Sequence, residues 1–188
     1  MPDDLPDDGP ERDAAEAAQA AADDPRLHGA VVVAVTPGQP PRVIKEAAHY
    51  AGLLRAHLLV VNVDVTRFVT YEDPDGYVHS APIDLHVVPG AEDLEAVRAE
   101  AAAVLDDLDV EWSAQQLVGD PALAIKHLAD RIDARLLVVG TRKRGIGESI
   151  REFFTGSVAA RLAHRQHRPI LIVPLGESVA DDESIWPE

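Results

Sequence analysis

The chain has 188 residues, which is enough for one α/β domain with tails. Its 33 acidic and 17 basic residues give a net charge of −16, and a chain this acidic should repel nucleic acid and anionic membranes. It contains no cysteine, which excludes disulfides and thiolate chemistry and favours a cytoplasmic location. We therefore expect a cytoplasmic protein with no nucleic-acid partner and no membrane partner.

Both ends of the chain are acidic and poor in large apolar side chains. Residues 1–27 are rich in Asp, Ala and Pro and cannot bury enough surface to offset chain entropy, so we expect a disordered acidic tail there. Residues 176–188 predict a second acidic tail, which leaves residues 28–175 as the folded domain. The excess of acidic residues, with only three Lys in the chain, also resembles the composition of proteins from salt-accumulating halophilic archaea.

Between the tails, β-branched apolar runs alternate with segments that carry apolar residues at helical spacing. In chain order the predicted elements are strand 29–35, helix 41–55, strand 58–65, helix 92–108, strand 110–118, helix 122–132, strand 136–139, helix 157–167 and strand 170–173. The long connection 66–90 has room for a short hairpin. Asp120 and Pro121 are suited to the cap and first turn of the third helix.

This alternation predicts an α/β fold, a doubly wound parallel sheet of five strands with helices on both faces. Right-handed crossovers leave two strand orders open, 3-2-1-4-5 and 2-1-3-4-5. In both orders ligands bind beyond the carboxyl ends of the strands, at the point where the winding reverses. In the first order this point lies between the first and fourth strands, where residues 36–40 meet residues 140–156.

The segment that follows the fourth strand is rich in glycine. Gly140 lets the backbone turn sharply and approach a ligand closely, while Gly145 and Gly147 permit positive φ angles. Gly156 and Ser157 open the fourth helix, whose free N–H groups and dipole favour an anion. Backbone groups of this kind are suited to holding phosphate.

The same segment is basic in an otherwise acidic chain. Thr141 offers a hydroxyl group, and Arg142, Lys143 and Arg144 supply three cations. These residues at the crevice favour a phosphorylated ligand. The alternative, which the residues leave open, is that Ser157 only caps a helix and that the cations face solvent.

From the fourth strand onward the residues resemble the signature of the universal stress proteins, Gly-x2-Gly-x9-Gly-Ser/Thr followed by a helix, a proline and an apolar strand. The matching pieces are residues 138–142, 154–159 and 168–174. The resemblance implies the adenine-nucleotide alpha-hydrolase-like fold with strand order 3-2-1-4-5, and a homodimer paired through the fifth strand. One branch of this family holds the phosphates of ATP on the glycine loop, and a second branch does not bind ATP.

The chain departs from that pattern at two places. Lys143 stands where the second glycine belongs, and the loop is three residues longer, so Gly145 or Gly147 would replace that glycine. Thr36 stands where the ATP-binding members carry Asp after the first strand.

We expect a cytoplasmic homodimer that binds an adenine nucleotide, ATP or another, or a related phosphorylated ligand, as a sensor or regulator of the stress response. The expected binding residues are Val35, Thr36, Val63, Gly140, Thr141, Arg142, Arg144, Gly145, Gly147, Gly156, Ser157 and Val158. The alternative is a dimer that acts as a protein-interaction module without nucleotide. A phosphoryl-transfer enzyme is the weakest hypothesis, because no general base or metal-binding carboxylate is identifiable near the loop; we expect no catalytic residue, no metal site and a weak ATPase at most.

Overall fold

A computed structural model of the chain describes residues 24–72, 78–82, 91–141 and 158–176. In chain order its strands are β1 (Val31–Ala34), β2 (Leu58–Asp64), β3 (Arg67–Glu72), β4 (Val78–Pro82), β5 (Trp112–Val118), β6 (Leu136–Gly140) and β7 (Ile170–Val173). Its α-helices are α1 (Arg42–Leu54), α2 (Ala91–Leu105), α3 (Pro121–Arg131) and α4 (Val158–Ala163).

Five of the strands form one parallel sheet in the order β5-β2-β1-β6-β7. Counted along the chain without the hairpin, this is the order 3-2-1-4-5, so the predicted doubly wound fold is confirmed. β3 and β4 pair antiparallel as a separate two-stranded sheet, which is the hairpin expected in the connection 66–90. Because β1 lies at the centre, the winding reverses between β1 and β6.

The two faces of the sheet are covered by different helices. Val31 and Val33 of β1 face α1 and α2, whereas Val32 faces α3 and α4. All three valines are at most 1% exposed, which explains why the β-branched run in the sequence is continuous rather than alternating. Within the described part of the chain, no helix is long and apolar enough to cross a membrane.

The folded domain begins before residue 28. Pro25–Leu27 form a short 3-10 helix, and the Asp24 side chain caps it by accepting a hydrogen bond from the Arg26 N–H. Leu27 is 3% exposed and packs in the core beside α3. Residues 24–27 therefore belong to the domain, although the sequence predicted a tail over residues 1–27. Residues 1–23 and 177–188, where we expect acidic tails, lie outside the described residues.

The connection from α4 to β7 is fixed by a branched set of polar contacts. Arg168 donates from Nε to the Ala134 carbonyl oxygen at 2.9 Å, and its guanidinium also pairs with Asp130 and Asp133. The Gln166 amide pairs with the Arg168 backbone in both directions. α4 therefore ends at Ala163, four residues before the predicted end, because the chain must turn early to reach these partners.

The surroundings of a histidine at the amino edge of the sheet lower its affinity for a proton. His57 precedes β2, and its Nε2 lies 2.8 Å from the Ser113 Oγ of β5. Its Nδ1 is buried without a hydrogen-bond partner among the described residues. Burial lowers the pKa of His57, and although Glu111 opposes this effect, the net pKa lies below the usual value of 6.5.

This arrangement predicts a pH dependence of stability. Unfolded His57 binds a proton more readily than folded His57, so its contribution is complete above pH 6.5 and declines as the pH falls. We expect the free energy of unfolding to decrease between about pH 7 and pH 5. In His57→Gln, the amide can keep the Ser113 contact without titrating, and this part of the dependence should vanish. Urea unfolding of both proteins across this range measures it, and parallel pH profiles would contradict it.

Candidate functional site

The candidate site lies at the carboxyl edge of the sheet, where the winding reverses. Ala34 of β1 pairs with Val61 of β2 on one side and with Val139 of β6 on the other. The segments that leave β1 and β6 at this edge are residues 35–41 and the residues after Gly140. In doubly wound sheets this is where ligands bind.

A tight turn follows β1. Pro37 and Gly38 occupy its centre, Gly38 has a φ of +70°, and the Gln39 N–H donates to the Thr36 carbonyl oxygen at 3.2 Å. Proline followed by a positive-φ glycine is the pattern of a type II turn. The Glu100 side chain of α2 accepts a hydrogen bond from the Gly38 N–H at 2.9 Å, which holds the turn against the domain.

Gln39 closes the same turn with its side chain. Its Oε1 accepts from the Thr36 N–H at 3.0 Å and lies 3.4 Å from the Thr36 Oγ1. The Gln39 Nε2 lies close to Gly140, so one side chain spans from the end of β1 to the end of β6. Gln39 is not among the binding residues expected from the sequence, although Thr-x-x-Gln is the spacing at which a Gln side chain can reach back to a preceding N–H.

Polar side chains at the end of β2 are bonded within the domain. Asn62 is 2% exposed and donates from Nδ2 to the Val35 carbonyl oxygen at 3.2 Å. Asp64 is 4% exposed, and its Oδ1 accepts from the N–H and the hydroxyl group of Thr66 at 2.8 and 2.6 Å. Val63 lies between them and is half-buried. The polar side chains at this end of β2 are therefore held in place by hydrogen bonds within the domain.

Five of the expected binding residues meet at this edge: Val35, Thr36, Val63, Gly140 and Thr141. Val158 is half-buried at the start of α4. The remaining six lie outside the described residues: Arg142, Arg144, Gly145, Gly147, Gly156 and Ser157. The described part of the chain contains no group of three His, Asp or Glu placed to hold a metal ion.

Comparison with known proteins decides the family. A model of the universal stress protein family matches residues 27–174. The chain belongs to the universal stress protein family. Stress response protein NhaX of Bacillus subtilis (strain 168) is 28% identical to it over 136 residues, which cover 71% of this chain and 69% of that protein. The resemblance found in the sequence is thereby confirmed.

Two solved structures show the same fold. A universal stress protein from Archaeoglobus fulgidus is 22% identical, with a TM-score of 0.55, and the match covers 78% of this chain and 93% of that one. A universal stress protein in complex with cAMP is 25% identical, with a TM-score of 0.54, and the match covers 79% of this chain and 98% of that one.

In this universal stress protein, the first glycine of the family signature is tightly enclosed. A Cβ atom at Gly140 would lie 2.8 Å from the Leu175 Cδ1, 3.0 Å from the Val43 Cγ2 and closer still to the Gln39 amide. Thr141, which follows, donates its N–H to the Val173 carbonyl oxygen, and its Oγ1 accepts from the Leu175 N–H at 2.9 Å. The start of the signature loop is thus tied to the end of β7.

An ion pair links the helix after the signature loop to the start of α3. Arg161 of α4 lies 2.7 Å from Asp120, whose side chain also accepts from the Leu123 N–H at 3.0 Å as the cap of α3. Burial alone would raise the pKa of Asp120, but its hydrogen bonds to Arg161 and to the Leu123 N–H outweigh burial and lower it. Asp120 is therefore ionised and engaged in structure, and the predicted cap is confirmed.

Proposed function

We propose that this universal stress protein binds an adenine nucleotide, ATP or another, or a related phosphorylated ligand, in the crevice between β1 and β6. The observation that carries the proposal is the reversal of winding at this point, where the Thr36 turn and Gly140 meet. The similar universal stress protein solved with cAMP supports it. In this proposal the protein is a cytoplasmic homodimer that senses or regulates a stress response.

In this proposal each residue has the role that was expected from the sequence. The base would lie against Val35 and Thr36, which follow β1, and against Val63 near the end of β2. The backbone N–H groups of the segment 145–157 hold the phosphates, with hydroxyl bonds from Thr141 and Ser157 and charge from Arg142 and Arg144. The dimer forms through β7, which is an edge strand of the sheet and exposes 49% of Ile172.

Calorimetric titration tests the proposal. We expect saturable binding of cAMP, AMP or ATP by the full chain in buffered KCl, with one ligand per chain. The variant Gly156→Leu should lose this binding, because a bulky side chain at the mouth of the predicted phosphate loop blocks the backbone N–H groups. Gly176→Val is the matched control, since a side chain at Gly176 would meet open space. No heat with any of the three nucleotides would reject the proposal.

A second candidate function is a dimeric interaction module without nucleotide. The contacts at Gly140 favour it, because Gln39, Leu175 and Val43 fill space beside the signature loop. Calorimetry on the wild-type protein and the variant separates the two functions, and sedimentation velocity checks that both proteins are dimers. Under this second function the Gly156→Leu variant stays a dimer and nucleotides produce no heat with either protein, whereas under the first the variant stays a dimer and only its nucleotide binding disappears.

A further inference from the structure

We infer that a groove between α1 and α2 is an interface at which two copies of this chain associate, with the Lys45 end of each groove on the Asp109 end of the other. This α1–α2 groove is lined by residues from the segments 45–53 and 103–110. It shares no residue with the β1–β6 crevice or with β7, so the inference goes beyond the proposed function and does not depend on it. The groove is apolar along its length and oppositely charged at its two ends.

The two ends of the α1–α2 groove can be located from α1. A Cβ atom at Gly52 would lie 3.9 Å from the Val110 Cγ2, so the last turn of α1 packs beside the chain that leaves α2. Lys45 lies seven residues before Gly52 on α1, which is about 10 Å along the helix axis. Asp109 directly precedes Val110 and also lines the groove. Lys45 and Asp109 therefore mark opposite ends.

The groove exposes apolar side chains to water in the single chain. Apart from Lys45, His49 and Asp109, none of the residues that line it has a polar side chain. Leu53 is 66% exposed and Leu108 is 46% exposed, and both lie at the Asp109 end. The groove has a volume of about 730 Å³, several times the ~150 Å³ that truncating one core side chain leaves, so it accepts more than one side chain. Contiguous exposed apolar surface is typical of protein–protein interfaces.

The charged groups at the two ends are available to a partner. Lys45 and Asp109 are both exposed, and among the residues that the structure describes neither has an ion-pair partner. His49, one turn after Lys45 on α1, is exposed as well. One end of the groove therefore carries a free cation and the other a free carboxylate, which is the complementarity that a second copy of the same groove can satisfy.

A two-fold axis through the middle of the groove satisfies both ends at once. Lys45 of each copy then faces Asp109 of the other, which gives the two identical ion pairs of an isologous interface. Leu53 and Leu108 of each copy lie over the Lys45 end of the other, where the lysine stem supplies apolar surface. Two grooves laid in parallel would instead bring like charges together. The geometry therefore specifies an antiparallel arrangement.

Charge exchange tests this arrangement by sedimentation velocity of the full-length proteins over a range of concentrations. At about 0.15 M KCl the general repulsion between two acidic chains is screened beyond about 8 Å. Lys45→Glu and Asp109→Lys should each weaken the association roughly tenfold to hundredfold, because each change turns two attractions into repulsions. An equimolar mixture of the two variants should associate again, since every contact between them joins opposite charges. The double variant Lys45→Glu/Asp109→Lys should associate like the wild type for the same reason.

The matched control is Arg131→Glu, which makes the same charge change on α3, on the opposite face of the sheet, and should leave the association unchanged. If the wild-type protein and both single variants sediment alike at every concentration, the groove is not an interface between copies and the inference is wrong. Weakening in the single variants without recovery in the mixture or in the double variant would overturn it too. Nucleotide titrations should give the same result for all these proteins, so neither failure bears on the proposed function.

Discussion

Replacing Gly140 with Val should destabilise the domain by about 3 kcal/mol, toward the upper end of the cost of overpacking. The new Cβ would lie 2.8 Å from the Leu175 Cδ1 and 3.0 Å from the Val43 Cγ2, and closer to the Gln39 amide. Gly140 is the last residue of β6, a position where strand propensity by itself favours Val. The predicted loss therefore arises from the contacts alone, and urea unfolding measures it.

The controls for this prediction separate crowding from the general effect of losing a glycine. Gly176→Val makes the same chemical change where the structure shows open space, so its midpoint of unfolding should stay close to that of the wild type. Shortening the most crowded neighbour with Gln39→Ala should recover part of the stability lost in Gly140→Val. Equal midpoints of unfolding for the two valine variants would show that the close contacts around Gly140 do not affect the free energy of unfolding.

Leu162→Ala should cost about 2–5 kcal/mol and detach α4 from the sheet. α4 has six residues, and Leu162 is its one buried side chain, at 0% exposure. A helix this short is not stable in water by itself, so its position depends on tertiary packing. The Arg161 pair with Asp120 adds little, because both side chains are about one-third exposed and solvent screens the pair.

Two measurements check the role of Leu162. Urea unfolding gives the loss of stability, and Leu123→Ala on α3, which removes a side chain that is 36% exposed, should cost less than half as much. Hydrogen exchange at His164 and Arg165, whose amides donate to Ala160 and Leu162, reports directly on α4. Unchanged protection of these two amides in Leu162→Ala would contradict the prediction.

The strands and most helices could be predicted from the sequence because their signals are local. The run Val31–Val33 is buried on both faces and needs no knowledge of its neighbours to be recognised as a strand. Asp120 and Pro121 mark the start of α3 by the chemistry of the cap. Local signals left two strand orders open, and the resemblance to the universal stress proteins was needed to choose between them.

What the sequence did not predict depends on contacts between distant segments. Leu27 is a single apolar residue after an acidic stretch, and only its packing beside α3 makes it part of the core. The early end of α4 follows from the Arg168 contacts with residues 130–134, more than thirty positions earlier in the chain. Gln39 reaches Gly140 only because β1 and β6 are neighbours in the sheet.

The Pro37–Gly38 turn also affects the thermodynamics of any binding at this edge. Proline restricts φ, and the backbone contacts of Gly38 and Gln39 hold the segment in one shape within the free protein. The conformational entropy of this turn is lost when the protein folds rather than when a ligand binds. A ligand bound here, as proposed, would meet a preorganised surface, and ordering this turn would cost little of its affinity.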